Sequence, residues 1–504
     1  MTTVNDKNSF WKKAVSGIMS PDAFRAVILM VSILGVCPLL IPHMERYLKL
    51  LHLYAGAVLV FDLLGERRIL NNTGRTVFFI FAFCGVITLL GNRNLLNFSG
   101  LSNYCYLLEA LALVYSYGKD SFKRDRWISA VACTVITAAN LIGIWMFYSK
   151  FYQYIPKRGY IGMYPHENRL AGLFGNPNVL GMICLVGICL ALIQLASGKR
   201  GAVRVAYGVS VAINLVTLLL ANSRTQIYSL LLLLAVVVFM LRIRNNSSFK
   251  AVCLAAVLAV AVLAASFGGS KVVQLGLAKL DVNYSYYEKH IMGGTLDTDD
   301  PLDLLDEQPN TKPHKKPATD NTHTQPDDQT TSIHRDSGFT GMNGRIGIWM
   351  RGLELFLNKP VIGWGMDNLD YALREIGVDG YFVRGNLHNT YLDVLVDFGI
   401  LGFACLMAYL LLMLSRVIAF FRNNKGDTWY MGTIMLGCVA AFLLDAVADS
   451  TLLASVYPTS IGFWMIASRF AGLMDEESKD NGIVRQEPIG RLFEAILNRL
   501  GKKR

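Results

Sequence analysis

Apolar runs close to twenty residues long recur along most of this chain, and they decide what it can fold into. Crossing about 30 Å of hydrocarbon takes roughly 20 helical residues, because lipid offers backbone N–H and C=O groups no partner outside the segment. About twelve such runs are present, over residues 23–42, 48–65, 74–91, 101–117, 127–148, 177–197, 205–221, 225–241, 251–267, 391–415, 429–448 and 455–472. Hydrophobic side chains make up 53% of the 504 residues and charged ones 17%, which excludes a soluble multidomain enzyme. The expected fold class is an all-α polytopic membrane protein with about 12 transmembrane helices. Residues 48–65 carry His52 and Asp62, and residues 101–117 carry Glu109, so each reads either as a span or as a buried, tilted helix. The first residues are polar and the first apolar run has full span length, so no cleavable signal peptide is expected.

The formal net charge of +11 would suit nucleic-acid binding if it formed one patch, but Lys and Arg sit in alternate loops. With Lys12 and Lys13 inside, the basic loops carry Arg67, Arg68 and Arg75, then Lys123, Arg124 and Arg126, then Lys199 to Arg204, Arg242 to Lys250, and Arg416 to Lys425. That alternation is the positive-inside pattern and predicts both termini on the cytoplasmic side. No nucleic-acid partner is implied. All nine cysteines fall inside predicted spans and read as small apolar residues rather than bridges or metal ligands.

The predicted organisation is a cytoplasmic segment 1–22, spans one to nine over 23–267, an external loop 268–390, spans ten to twelve over 391–472, and a cytoplasmic tail 473–504. A second external segment covers 149–176. Within the large loop, residues 295–338 are rich in Asp, Thr, Pro, Asn and Gln and are expected to be disordered. Residues 344–358 read as an amphipathic helix stopped by Pro360. Residues 488–504 carry an apolar stripe with basic flanks, which suits the inner leaflet or packing on cytoplasmic loops equally well.

Four external stretches carry residues capable of chemistry. Residues 169–181, RLAGLFGNPNVLG, lead into the sixth span; on its own the GNPN is a good helix start, with Arg169 as its one cation. Arg224 sits in the short turn ANSRT, on the side where the orientation rule disfavours a cation; it either snorkels to headgroups or serves an anion. Arg345 and Trp349 are four residues apart on one helical face, with Arg351 beyond them and Pro360 to Gly365 downstream. The fourth stretch, 387–402, is LHNTYLDVLVDFGILG, which puts His388 and Asn389 at a membrane boundary, followed by Asp393 and Asp397; Asp445 and Asp449 repeat that interval at the end of the next span. A lone histidine is usually a satisfied polar residue, but carboxylates at a boundary are expensive without cations. Arg169, Arg224, Arg345, Arg351 and Arg384 are the available ones, so the ensemble reads as an anion site. The acidic run DTDDPLDLLDE lies in the polar insert with no second ligand set and is rejected as a metal–nucleotide motif.

The pair His388-Asn389 followed after nine residues by Gly399-x-x-Gly402 resembles the signature of the O-antigen ligase and Wzy-type polysaccharide polymerase superfamily, GT-C-like membrane glycosyltransferases. Supporting matches are the Arg169 to Gly181 stretch, Ser223-Arg224, and Arg345-x-x-x-Trp349 with Pro360-x-x-Gly363-x-Gly365; the resemblance covers roughly residues 165–420. It implies transfer of a glycan from a polyprenyl (undecaprenyl) diphosphate carrier to an acceptor hydroxyl in the bacterial inner membrane, on its external face, with inversion and without metal or other cofactor. His388 would be the base, and Arg224, Arg345 and Arg169 would bind diphosphate. Asn389, Asp393, Asp397, Trp349 and Asp449 would support them, with Asp393 or Asp397 orienting the ring. The acceptor, a glycan or a lipid-linked glycan, stays open, as does polymerase versus ligase. A glycan transporter or flippase is the competing class, because about twelve spans with both ends inside describes many of those; it predicts internally repeated halves, and none is evident. A glycan-binding scaffold is a third reading.

Overall fold

The computed structural model describes residues 15–65, 74–93, 98–115, 121–156, 158–164, 169–197, 201–244, 250, 253–254, 257, 340–377, 387–450, 452 and 456–480. The ninth predicted span apart from isolated positions, the polar insert 295–338, Arg384 and the tail helix 488–504 lie outside the described residues. The chain is mostly helical. In order come α1 (Pro21–Gly35), α2 (Ile41–Leu64), α3 (Gly74–Gly91), α4 (Phe98–Glu109) running into a π-helical turn at Ala110–Val114, and α5 (Ser121–Tyr148). Three strands follow, β1 (Tyr152–Ile155), β2 (Gly159–Tyr164) and β3 (Arg169–Gly175). Then come α6 (Pro177–Ala196), α7 (Ala202–Ala221), α8 (Arg224–Ile243), α9 (Thr340–Asn358), α10 (Leu369–Glu375), α11 (Thr390–Asn423), α12 (Gly426–Ala448) and α13 (Pro458–Asp480). Among the described residues, seven helices are long and apolar enough to cross a membrane: α2, α5, α6, α7, α8, α11 and α12.

Local chemistry sets several of these boundaries. Ser20 caps α1 by accepting from the Ala23 N–H at 3.2 Å, with Pro21 in the first turn. Asn176 caps α6 in the same way, accepting from the Asn178 N–H at 2.8 Å ahead of Pro177. Asn222 ends α7 in the left-handed conformation, φ 47°, which asparagine tolerates better than most residues. Helix α6 is the most enclosed of the seven, packed by α5, α7, α12, α13 and β3, while α8 runs along α12. The polar residues that made two runs ambiguous answer one another: His52 on α2 lies 2.7 Å from Glu109 and 2.9 Å from Ser102 on α4, and its ring stacks on Tyr106. A second charged cluster braces the far end of the bundle. Arg25 reaches Asp22 at 3.3 Å and Asp125 at 3.5 Å, donates to the Val114 carbonyl at 2.9 Å, and is fully buried.

Residues 149–176, which hydropathy marks only as a polar connection, contain an antiparallel sheet of order β1-β2-β3. The strands are short and interrupted by glycine, so the pattern carries little periodic signal. Ile161 and Met163 are buried beneath it, and β3 packs between α5 and α6.

Helix α11 is interrupted once. Gly399 takes φ 65°, ψ −164°, and the segment Pro360 to Gly365 docks into the break. The Trp364 N–H donates to the Val396 carbonyl at 2.8 Å and the Gly365 N–H to the Asp397 carbonyl at 2.9 Å. In return the Ile400 N–H donates to Pro360 O at 2.7 Å and the Leu401 N–H to Val361 O at 3.4 Å. Groups orphaned by the kink thus find partners in a loop some 35 residues upstream. A Cβ on Gly399 would lie 2.3 Å from Val361 O, and one on Gly363 2.5 Å from the Asp397 carbonyl, and both glycines have positive φ. Gly399→Ala and Gly363→Ala should each cost about 2–4 kcal/mol, read as a lowered thermal midpoint in detergent. Gly208→Ala, where nothing lies within 4 Å, should leave the midpoint unchanged or slightly raised.

Candidate functional site

The break sets the direction of the first two turns of α11, and the residues just before them form the centre of the site. His388 occupies a left-handed position, φ 50°, immediately before the N-cap. Asn389 accepts at Oδ1 from the Tyr391 N–H at 3.0 Å and the Leu392 N–H at 3.1 Å, and its own N–H donates to Ser450 Oγ at 3.2 Å. Thr390 Oγ1 donates to the Asp449 carbonyl at 3.0 Å and accepts from the Leu452 N–H at 3.2 Å. The His-Asn-Thr run therefore clasps the end of α12, and His388 Nδ1 comes to 3.4 Å from Asp449 Oδ1. Arg345, from the first turns of α9, brings Nη2 to 3.6 Å from the same oxygen. The Asp449 carboxylate is 8% exposed, Arg345 23% and His388 43%, so one buried anion is covered by a cation and by a ring open to solvent.

A chain of polar contacts runs from Asp449 into the bundle. Gln226 Nε2 donates to Asp445 Oδ1 at 2.6 Å and faces Asp449 Oδ2 at 3.5 Å. The Ser223 hydroxyl donates to Gln226 Oε1, which fixes the amide with its nitrogen toward the two acids. Ser223 also reaches Asn178 Oδ1 at 3.3 Å, and Arg169 Nη2 donates to that oxygen at 2.9 Å. Arg169 Nε donates to the Ala221 carbonyl at 2.8 Å. The GNPN stretch, the Ser-Arg turn and the end of α12 are thus one hydrogen-bonded unit.

This geometry redistributes the roles expected from sequence. Asp449 is a carboxylate that meets the His388 ring directly, a contact that the spacing of Asp393 and Asp397 from His388 does not suggest. Asp393 accepts the Leu387 N–H at 3.1 Å, and Asp397 contributes its backbone carbonyl to the helix break. Arg169, expected to bind diphosphate, is buried at 3% exposure and donates to the Ala221 and Asn222 carbonyls at the end of α7. Arg351 pairs with Glu354 at 2.6 Å on the exposed side of α9 and not with the α11 or α12 acids. Arg224 opens α8, half-buried, two residues before Gln226. Trp349 packs against the cluster of Leu355, Trp364, Leu387 and Leu392, so it backs the turn that carries Arg345. Gln226 was not singled out from sequence. Ser223-x-x-Gln226 carries a capping-box spacing that draws the eye to the backbone, yet the serine makes no cap bond and spends its hydroxyl on the glutamine.

Residues 209–407 match the family model described as O-antigen ligase. That match supports the resemblance to the O-antigen ligase and polymerase superfamily and spans Arg224, Arg345 and His388, while Arg169 and Asp449 lie beyond its ends. No curated protein matches the chain.

Gln226→Leu would leave Asp445 and Asp449 with no amide between them, two buried carboxylates short of a donor. The expected cost is about 2–3 kcal/mol of stability, measured by thermal unfolding in lipid discs. Gln226→Glu, which keeps the shape but adds a third acid, should fare no better.

Proposed function

From an O-antigen ligase-type segment over residues 209–407, we propose that this membrane protein transfers a glycan from a polyprenyl diphosphate carrier to an acceptor hydroxyl in cell-surface polysaccharide assembly. The observation that carries the reading is the single carboxylate of Asp449 engaging both the His388 imidazole and the Arg345 guanidinium, brought together from three separate segments. A base and a permanent cation on one anchor suit a reaction that removes a proton and discharges an anion at once.

In the proposed reaction the acceptor oxygen attacks the anomeric carbon from the side opposite the diphosphate, and the bond from that carbon to the phosphate oxygen breaks with inversion. The hydroxyl proton passes to His388. With Nδ1–H held toward Asp449, the neutral ring presents its lone pair at Nε2, and the 3.4 Å contact is loose enough to tighten when substrate closes the site. Negative charge grows on the departing diphosphate. Arg345 and Arg224 are suited to receive it, because a guanidinium is always charged and holds two phosphate oxygens together. Arg169 and Asn178 keep the Ser-Arg turn in place. Arginine fills the role that Mg²⁺ has in many soluble transferases, so the reaction should run in chelator.

The site belongs on the external face of the bacterial inner membrane. Arg204, Arg242, Arg244, Arg416 and Arg422 all stand at the opposite ends of the helices whose other ends carry the site, which is the positive-inside arrangement.

The decisive assay is turnover of a polyprenyl diphosphate-linked oligosaccharide by the purified protein in lipid discs with EDTA present. His388→Ala should lower the rate about 10²–10⁴-fold. Arg345→Ala should remove about 3–4 kcal/mol of transition-state stabilisation, with lysine a poor replacement. A lengthened lipid-linked glycan defines a polymerase, and release that needs a different acceptor defines a ligase. No release with any acceptor would refute the proposal in favour of a transporter.

A further inference from the structure

One face of the small sheet is lined by tyrosine. Tyr154 on β1 is the register partner of Tyr160 on β2, with ring centroids 5.0 Å apart at 48°. Tyr160 in turn lies 5.0 Å from Tyr164, edge to face at 80°. Ile161, Gly162 and Met163, which separate Tyr160 from Tyr164, are buried, and the β2–β3 register is irregular at Gly162. The tyrosine side stays partly open, with Tyr154 at 38% exposure.

This ladder leads toward the reaction site. Tyr164 is the register partner of Arg169 on β3, and Arg169 is the first member of the polar chain through Asn178, Ser223 and Gln226 to Asp449. The sheet also follows α5 at the end of the bundle away from Arg124 and Asp125, so it shares a membrane face with His388. Pyranose rings present a flat set of C–H bonds that packs on aromatic faces, and their hydroxyls suit phenol oxygens. Tyrosine supplies both at a low cost in side-chain entropy.

We propose that Tyr154, Tyr160 and Tyr164 form a glycan-binding platform that holds sugar rings beyond the reacting one and presents the chain to the His388 site. The proposal rests on the reading of the substrate as a glycan and adds where that glycan lies. It makes the sheet a binding subsite and not only a cover over α5 and α6.

The test uses the full-length protein in lipid discs, with oligosaccharides released by mild acid from the producing cell's own lipid-linked glycans as the probe. Saturation-transfer NMR should show contact with sugar ring protons in wild type and equally in His388→Ala. Tyr154→Ala and Tyr160→Ala should each weaken binding about tenfold, with Tyr154→Trp restoring it. In turnover the alanine variants should raise KM and leave kcat near wild type. Absence of sugar contact in wild type, or equal affinity in the alanine variants, overturns the platform. So does quenching of the added indole in Tyr154→Trp by headgroup-nitroxide lipid without protection by sugar, which would assign this face to the membrane surface. Sugar binding lost with Tyr154 in a protein that never releases diphosphate would refute the transferase reading and leave the platform standing. Turnover indifferent to both tyrosines would do the reverse.

Discussion

The arrangement at the head of α11 depends on a broken helix whose freed backbone groups are paired by another part of the chain. A backbone group left unpaired away from water costs several kcal/mol, so such a break survives only if another part of the chain supplies the missing partners. Pro360 to Gly365 does this from both sides of Gly399, giving two N–H groups and taking two. The exchange also fixes what lies on either side of it. Upstream, Trp364 closes the apolar cluster on which Trp349 rests, and its indole N–H is held by the Leu355 carbonyl at 2.9 Å. Beneath, Asn92, just past the end of α3, donates to Gly363 O at 3.0 Å and Thr88 on α3 to Ile362 O at 3.1 Å, so the docked loop is tied to the bundle. Downstream, the first turns of α11 are freed from the direction of the long span and can aim His388 at Asp449.

Much of this was present in the sequence as separate signals. The apolar runs marked the helices from α1 to α8 and from α11 to α13, because about twenty apolar residues leave a chain few alternatives. The Pro-x-x-Gly-x-Gly and Gly-x-x-Gly spacings were visible too, but nothing in either says that one fills the other. Their glycines are required by approach of backbone to backbone across the fold, a contact with no local periodicity. The tyrosine sheet escaped for the opposite reason: its strands of four to seven residues, broken by Gly159, Gly162 and Gly172, are too short for alternation to stand out.

The site residues divide along the same line. As candidates, Arg224 stood out because an arginine in a short turn on the outer side calls for a reason, Arg345 because it shares a helical face with Trp349, and His388 because of the carboxylates and the Gly-x-x-Gly that follow it. Which acid would meet the histidine could not be read, since Asp393 and Asp397 are near in sequence and Asp449 is 61 residues away. Helix geometry decides it. A residue just before an N-cap sits at the end of the helix axis, where it meets whatever packs against that end. Here that is Asp449, the C-cap of α12. Gln226 was harder still, as a neutral residue in an apolar helix whose partners lie 219 and 223 positions away.

Charge bookkeeping gives Asp449 a second use under the proposed reaction. Before substrate binds, its one carboxylate is shared by Arg345 and His388, at 3.6 and 3.4 Å from the same oxygen. A diphosphate drawn to Arg345 offers the guanidinium a stronger, two-point partner than a single shared oxygen. Asp449 is then left facing the histidine, at the moment when the ring is about to gain a proton and become the cation in need of an anion. The buried Gln226 amide keeps the other Asp449 oxygen occupied, so the carboxylate does not have to turn as its partners change. Proton transfer and leaving-group departure would be coupled through one side chain, with net charge around it nearly constant, which is how a site of low polarity avoids the cost of creating isolated charge.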